Sequence, residues 1–154
     1  GILAKILVPA GTQDVAGALA LVAVLRACEA RFAEVPERLR IRRSVEVALL
    51  EGLPGSSLVG GESERLWNTI SLMAPELADC RQRWVVRLDA AEVAASSGSA
   101  CASGAEKPSR VLAAMGVPAG ASDRVLRLSC GWDCDTGDWM EVVRRMEAIY
   151  ERWR

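Results

Sequence analysis

Ser96-Ser97-Gly98-Ser99-Ala100-Cys101 decides how this chain is read. It sets one thiol inside a run of small residues, Ala94 to Gly104, with no large side chain to pack the segment down. Such a cysteine is ill suited to filling a core. It is suited to being carried to a substrate on a mobile segment, and residues 97–107 are expected to be the most mobile internal part of the chain. The chain contains no histidine, so no imidazole of its own can serve as partner base. That argues against the arrangement of cysteine proteases and favours a thiol acting on something activated by other means, such as a cofactor.

Working outward, 154 residues make one ordinary domain, long enough to bury roughly 70% of its unfolded surface. Hydrophobic residues at 51% and charged residues at 25% are those of a globular chain. A formal net charge of −1 gives no reason to expect nucleic acid or an anionic membrane as partner. No apolar run is long enough to span a bilayer. Five cysteines, at 28, 80, 101, 130 and 134, are odd in number and irregularly spaced. They imply no disulfide framework, and a reducing cytoplasm is the expected location. Only two lysines occur, Lys5 and Lys107, against seventeen arginines. The first residues, Gly1 to Pro9, are apolar and lack an initiating methionine, so the chain is expected to begin inside a longer parent.

Helices and short strands interleave. Asp14 is a fair N-cap for a long apolar helix to about Glu34, and Pro36 kinks or restarts the chain. Glu37 to Leu50 reads as an amphipathic helix with Leu39, Ile41, Val45, Ala48 and Leu49 on its apolar side. Ser57 to Val59 and Leu66 to Met73 alternate as strands. Pro75 fits the first turn of a helix to about Ala90, with Leu77, Trp84, Val85 and Leu88 facing inward. Val93 to Ser96 reads as a strand entering the cysteine segment. Ser109 to Met115 is a short helix closed by Gly116. Val125 to Ser129 alternates as a strand, and a last helix capped by Asp135 or Thr136 runs to about Trp153. The expected fold is α+β, a small and largely antiparallel sheet packed with helices and preceded by a long connecting helix.

Ser-Ser-Gly-Ser-Ala-Cys101, followed by Lys107-Pro-Ser-Arg-Val-Leu-Ala-Ala-Met-Gly116, closely resembles the C-terminal region of group I cysteine desulfurases. These are pyridoxal-phosphate enzymes of fold type I in the class V aminotransferase superfamily. Val125-Leu-Arg-Leu-Ser-Cys-Gly131 resembles the family strand that carries an arginine, then a serine, then a glycine. Ala10-Gly11-Thr12 before a helix and Asn68-Thr69-Ile70-Ser71 match two further landmarks, in the family's order and over almost the whole chain. The resemblance implies that Cys101 is the nucleophile that takes sulfur from L-cysteine as a persulfide, leaving L-alanine. It implies that Arg127 binds the substrate carboxylate, which a planar guanidinium matches bidentately. It implies that Thr12 touches the cofactor phosphate across a homodimer interface, and that a sulfur-acceptor or scaffold protein of iron–sulfur cluster assembly is a partner.

The departures from the family pattern matter as much. The family tethers its cofactor on a lysine directly after a histidine and stacks a second histidine on the ring. Neither Lys5 nor Lys107 has that setting, and Pro9 stands where the family has an arginine. Residues 1–13 are therefore read as a remnant or divergent segment leading from a large cofactor-binding domain outside the chain. Residues 14–154 are read as connecting helix and small domain. The chain by itself is expected to bind no pyridoxal phosphate and to be inactive. Two other readings fit the same residues: a cofactor-free module that binds a desulfurase or a sulfur acceptor, and part of another class V enzyme such as a selenocysteine lyase or an aminotransferase. Cys130 and Cys134 have a C-x3-C spacing, but no histidine or further cysteine pair joins them to complete a metal site. Trp132, just past the arginine strand, is a candidate border of a site.

Overall fold

Val125-Leu126-Arg127-Leu128-Ser129 alternates apolar and polar residues, and in the computed structural model it is a strand, β4 (Val125–Ser129). The structure describes residues 14–77, 84–97 and 109–154. β4 lies inside a four-stranded sheet with β1 (Ser57–Leu58), β2 (Thr69–Met73) and β3 (Ser96–Ser97), in the order β1-β2-β4-β3. Every pairing is antiparallel. In the register, Ile70 faces Leu128 and Leu72 faces Leu126. Directly opposed residues share a face of the sheet, so these four apolar side chains form one buried layer.

Three helices cover that layer. α2 (Val35–Gly52) contributes Val45 and Leu49, α3 (Trp84–Ala90) contributes Trp84 and Leu88, and α5 (Thr136–Trp153) contributes Trp139, Val143, Met146 and Ile149. Ile41, Ala48, Val142 and Tyr150 pack at its margin, as their helical spacing requires. A satellite cluster of Val59, Leu112 and Val125 lies apart from this core, with Leu112 coming from α4 (Arg110–Ala114). α5 starts on a capping box: the Asp138 N–H donates to Asp135 Oδ1 at 3.0 Å, and the Asp135 N–H donates to Asp138 Oδ2 at 2.9 Å.

The chain divides into two units, residues 1–35 and 36–154. In the first, Asp14 caps α1 (Val15–Ala30), its Oδ1 accepting from the Gly17 N–H at 2.8 Å. The helix does not run unbroken to Glu34. The Arg31 N–H bonds Cys28 O at 3.0 Å, and a single 3-10 turn, Phe32–Glu34, follows. In the second, Pro36 stands one residue inside α2, where its missing N–H is among those a helix start leaves unpaired.

β2 starts at Thr69 rather than Leu66, and two further boundaries differ from the sequence reading because of identified hydrogen bonds. Pro75 does not open a helix. The Ala74 N–H donates to Arg124 O at 2.9 Å, so the sheet edge continues past Met73, and Pro75 O accepts the buried Trp84 indole N–H at 2.8 Å. β3 begins at Ser96 rather than Val93, because Val93 closes α3: its N–H bonds Leu88 O at 2.8 Å and the Glu92 N–H bonds Asp89 O at 2.9 Å. That is a Schellman closure with Glu92 in the left-handed region at φ 58°. α4 ends the same way with Gly116 at φ 79°, which its glycine had foreshadowed.

Candidate functional site

The pleat that buries Leu126 and Leu128 turns Arg127 to the opposite, open face of the sheet. Arg127 is exposed and stands between Ser71 of β2 and Ser96 of β3, each directly opposite it in register. Thr69 and Ser129 form the next pair on this face, their hydroxyls 3.2 Å apart. Around Arg127 this face carries small hydroxyl side chains, and at its far end Val125 and Met73 are packed with Val59 and Leu112. Arg127 forms no hydrogen bond or ion pair among the described residues. Because β4 is an inner strand, the backbone that carries Arg127 is paired on both sides.

Ser96, opposite Arg127, belongs to the strand from which the chain continues toward Cys101. Three residues lie between Ser97 and Cys101, and four peptide links span at most about 14 Å. Cys101 itself lies outside the described residues, as do Thr12, Lys5, Lys107 and Cys80. The expectation of mobility over residues 97–107 falls there too, apart from Ser97 in β3.

The end of β4 is held by Asn68, Cys130 and Trp132, which the sequence marked, together with Trp67 and Arg38, which it did not. The Cys130 N–H bonds Asn68 O at 3.0 Å, and Asn68 Nδ2 donates to Cys130 O at 3.3 Å, extending the ladder one residue. Beyond it, Trp132 and Trp67 rings meet at 4.3 Å between centroids. Arg38 of α2 lies 5.6 Å from the Trp67 ring centre. Its guanidinium donates to Trp132 O at 2.6 Å and also to Cys134 O. The turn that links β4 to α5 is thereby tied to α2. Trp132 proves to be part of this clamp. Arg38 and Trp67 carried no signal in the sequence, because their partners lie 94 and more residues away in the chain for Arg38 and Trp67 is a lone aromatic in a coil.

Behind the sheet, burial pushes the Cys130 thiol above the ordinary range, and the neighbouring Cys134 thiol adds to this. A hydrogen bond from Trp139 and the charge of Arg38 act the other way. Among the described residues no group of three His, Cys, Asp or Glu side chains could hold a metal ion. Nor do they fit a pyridoxal-phosphate site, since they include no lysine and the chain has no histidine. No helix among them is long and apolar enough to cross a membrane.

An α+β layer of this topology defines a class: the fold is that of NifS-like proteins. The structure of a NifS-like protein from Rickettsia africae superposes with a TM-score of 0.64 at 23% identity, over 92% of this chain and 36% of that one. A second NifS-like protein gives 0.62 over 93% and 35%. No family model matches the sequence. Curated relatives do. A cysteine desulfurase of Klebsiella pneumoniae is 33% identical over 148 residues, 94% of this chain and 36% of its own length. Cysteine desulfurase IscS of Methanosarcina thermophila is 35% identical over 148 residues, with 94% and 35% covered. The chain is a relative of the cysteine desulfurases, corresponds to the C-terminal part of those proteins, and spans about a third of their length.

Proposed function

We propose that this chain is the substrate-anchoring and sulfur-accepting portion of a cysteine desulfurase. Arg127 holds the carboxylate of L-cysteine, and the Cys101 thiolate takes its sulfur. Overall, the Cys101 thiol and L-cysteine become a Cys101 persulfide and L-alanine. One C–S bond breaks, one S–S bond forms, and a proton replaces sulfur on the alanine carbon. The persulfide is then handed to an acceptor protein. The observation that carries this reading is the exposed Arg127, carried on an inner strand beside the strand that leads to Cys101. The likeness to cysteine desulfurases over 94% of the chain supports it.

Pyridoxal phosphate is assigned to the parent enzyme, with its tethering lysine in the large domain outside this chain. Thr12 is proposed to meet its phosphate in a homodimer. The 154-residue chain mixed with the cofactor should therefore form no stable, stoichiometric, borohydride-reducible adduct, and one at Lys5 or Lys107 would contradict this. In the intact enzyme, Cys101→Ala should abolish the protein-bound persulfide while cofactor binding persists. Normal sulfide release by that variant would remove Cys101 from its role.

A further inference from the structure

We propose that Cys130 and Cys134 form a dithiol that small-molecule disulfides oxidise reversibly to an intramolecular disulfide, a modification site on the face of β4 turned away from Arg127. Both cysteines are free and half-buried. Cys130 extends the sheet one residue beyond β4, and Cys134 directly precedes the cap of α5. A turn folds one back toward the other, with the Cys134 N–H bonded to Gly131 O at 3.4 Å. Both also line one cavity of about 90 Å³, together with Val93, Leu128 and Trp139. Two thiols at the two ends of one turn, both opening on the same apolar cavity, sit where a disulfide would close across the turn.

The exchange proceeds in two steps. The Cys134 thiolate attacks one sulfur of a disulfide such as glutathione disulfide, which forms a mixed disulfide and expels one glutathione thiolate. The Cys130 thiol, deprotonated, then attacks the Cys134 sulfur, closing the protein disulfide and expelling the second glutathione. The protein loses two electrons and two protons, and glutathione disulfide gains both. Cys130 acts second because burial disfavours its thiolate. Neither step involves Cys101 or Arg127, so the proposal stands apart from the desulfurase reading.

Trypsin isolates the site, since cleavage after Arg127 and Arg144 yields a peptide holding these two cysteines and no other. The full chain is incubated with glutathione disulfide, acid-quenched, alkylated with N-ethylmaleimide and mapped by mass spectrometry. The expected product is this peptide carrying neither alkyl group nor glutathione and lighter by two hydrogens. Dithiothreitol should restore two alkylation sites. In Cys130→Ser, a single glutathione should stay on Cys134. A wild-type peptide with two alkyl groups or two glutathiones, or one linked to another cysteine peptide, would overturn the proposal. So would a Cys130→Ser peptide with no glutathione.

Discussion

Arg127 stands out in the sequence because it interrupts an apolar strand pattern, and in the structure it is exposed on the face of β4 opposite Leu126 and Leu128. Removing the guanidinium should weaken binding of substrate carboxylate. A charge-assisted bidentate contact in a partly closed site is worth roughly 2–4 kcal/mol, so Arg127→Ala should lower kcat/KM about 30- to 1000-fold in the intact enzyme. Arg127→Lys should recover only part, since an ammonium lacks the fork. An unchanged kcat/KM in the alanine variant would reject the assignment. Another cluster of charges was illegible. Arg42 and Glu46 look like an ordinary surface pair one helical turn apart, yet each is only 5% exposed. Glu46 also receives Arg65, at 2.6 and 3.2 Å, while Arg42 donates to Arg65 O and Leu66 O. Burial lowers the Arg42 pKa, and Glu46 opposes that. The partner that makes the site lies nineteen residues downstream of Glu46 in a coil, where no periodicity announces it. Glu46→Gln removes the carboxylate partner of the buried Arg42 and the half-buried Arg65 and should cost about 3 kcal/mol, read as a lower urea midpoint. A loss below about 1 kcal/mol would mean that water reaches the cluster.

At the level of elements, the helices with strong caps were readable and the boundaries set by long-range contacts were not. Asp14, Asp135, Ser109 and Gly116 all act where their chemistry places them. The start of β3 and the coil at Pro75 could not be read, because the bonds that decide them run to Leu88, Arg124 and Trp84. Glu92 had no signal at all, since a glutamate in a left-handed closure contradicts its own preference. What the position needs from its residue is backbone: Arg145 donates to Ala91 O at 2.5 Å and Glu92 O at 3.3 Å, whereas the carboxylate lies 3.9 Å from Arg145 and is largely exposed. Glu92→Gly should therefore raise stability by about 0.5–1 kcal/mol, because relief of the positive φ exceeds the loss of a weak ion pair. A fall in thermal midpoint would show that the carboxylate contributes more than its geometry implies.

For the whole molecule, the core follows from the sequence pattern, while the apolar side chains of α1 are not buried among the described residues. Leu19, Leu21 and Val24 are 66%, 60% and 59% exposed, and α1 has no buried residue. An apolar helix of this kind is ordinarily covered, and left open it promotes association. The chain should bind a polarity-sensitive dye and self-associate as concentration rises, and Leu21→Lys with Leu25→Lys should reduce both. A strictly monomeric wild-type chain with no dye binding would show that these side chains find cover. The inner position of β4 has a different consequence, for how such a sequence can diverge. Ser71 and Ser96 can exchange for other small residues with little penalty. A single residue inserted between Val125 and Leu126 would instead reverse the pleat, sending the guanidinium into the core and two leucines into solvent. Descendants of this chain can therefore vary in spelling along β4 but not in length, and drift in length is confined to the connections on either side.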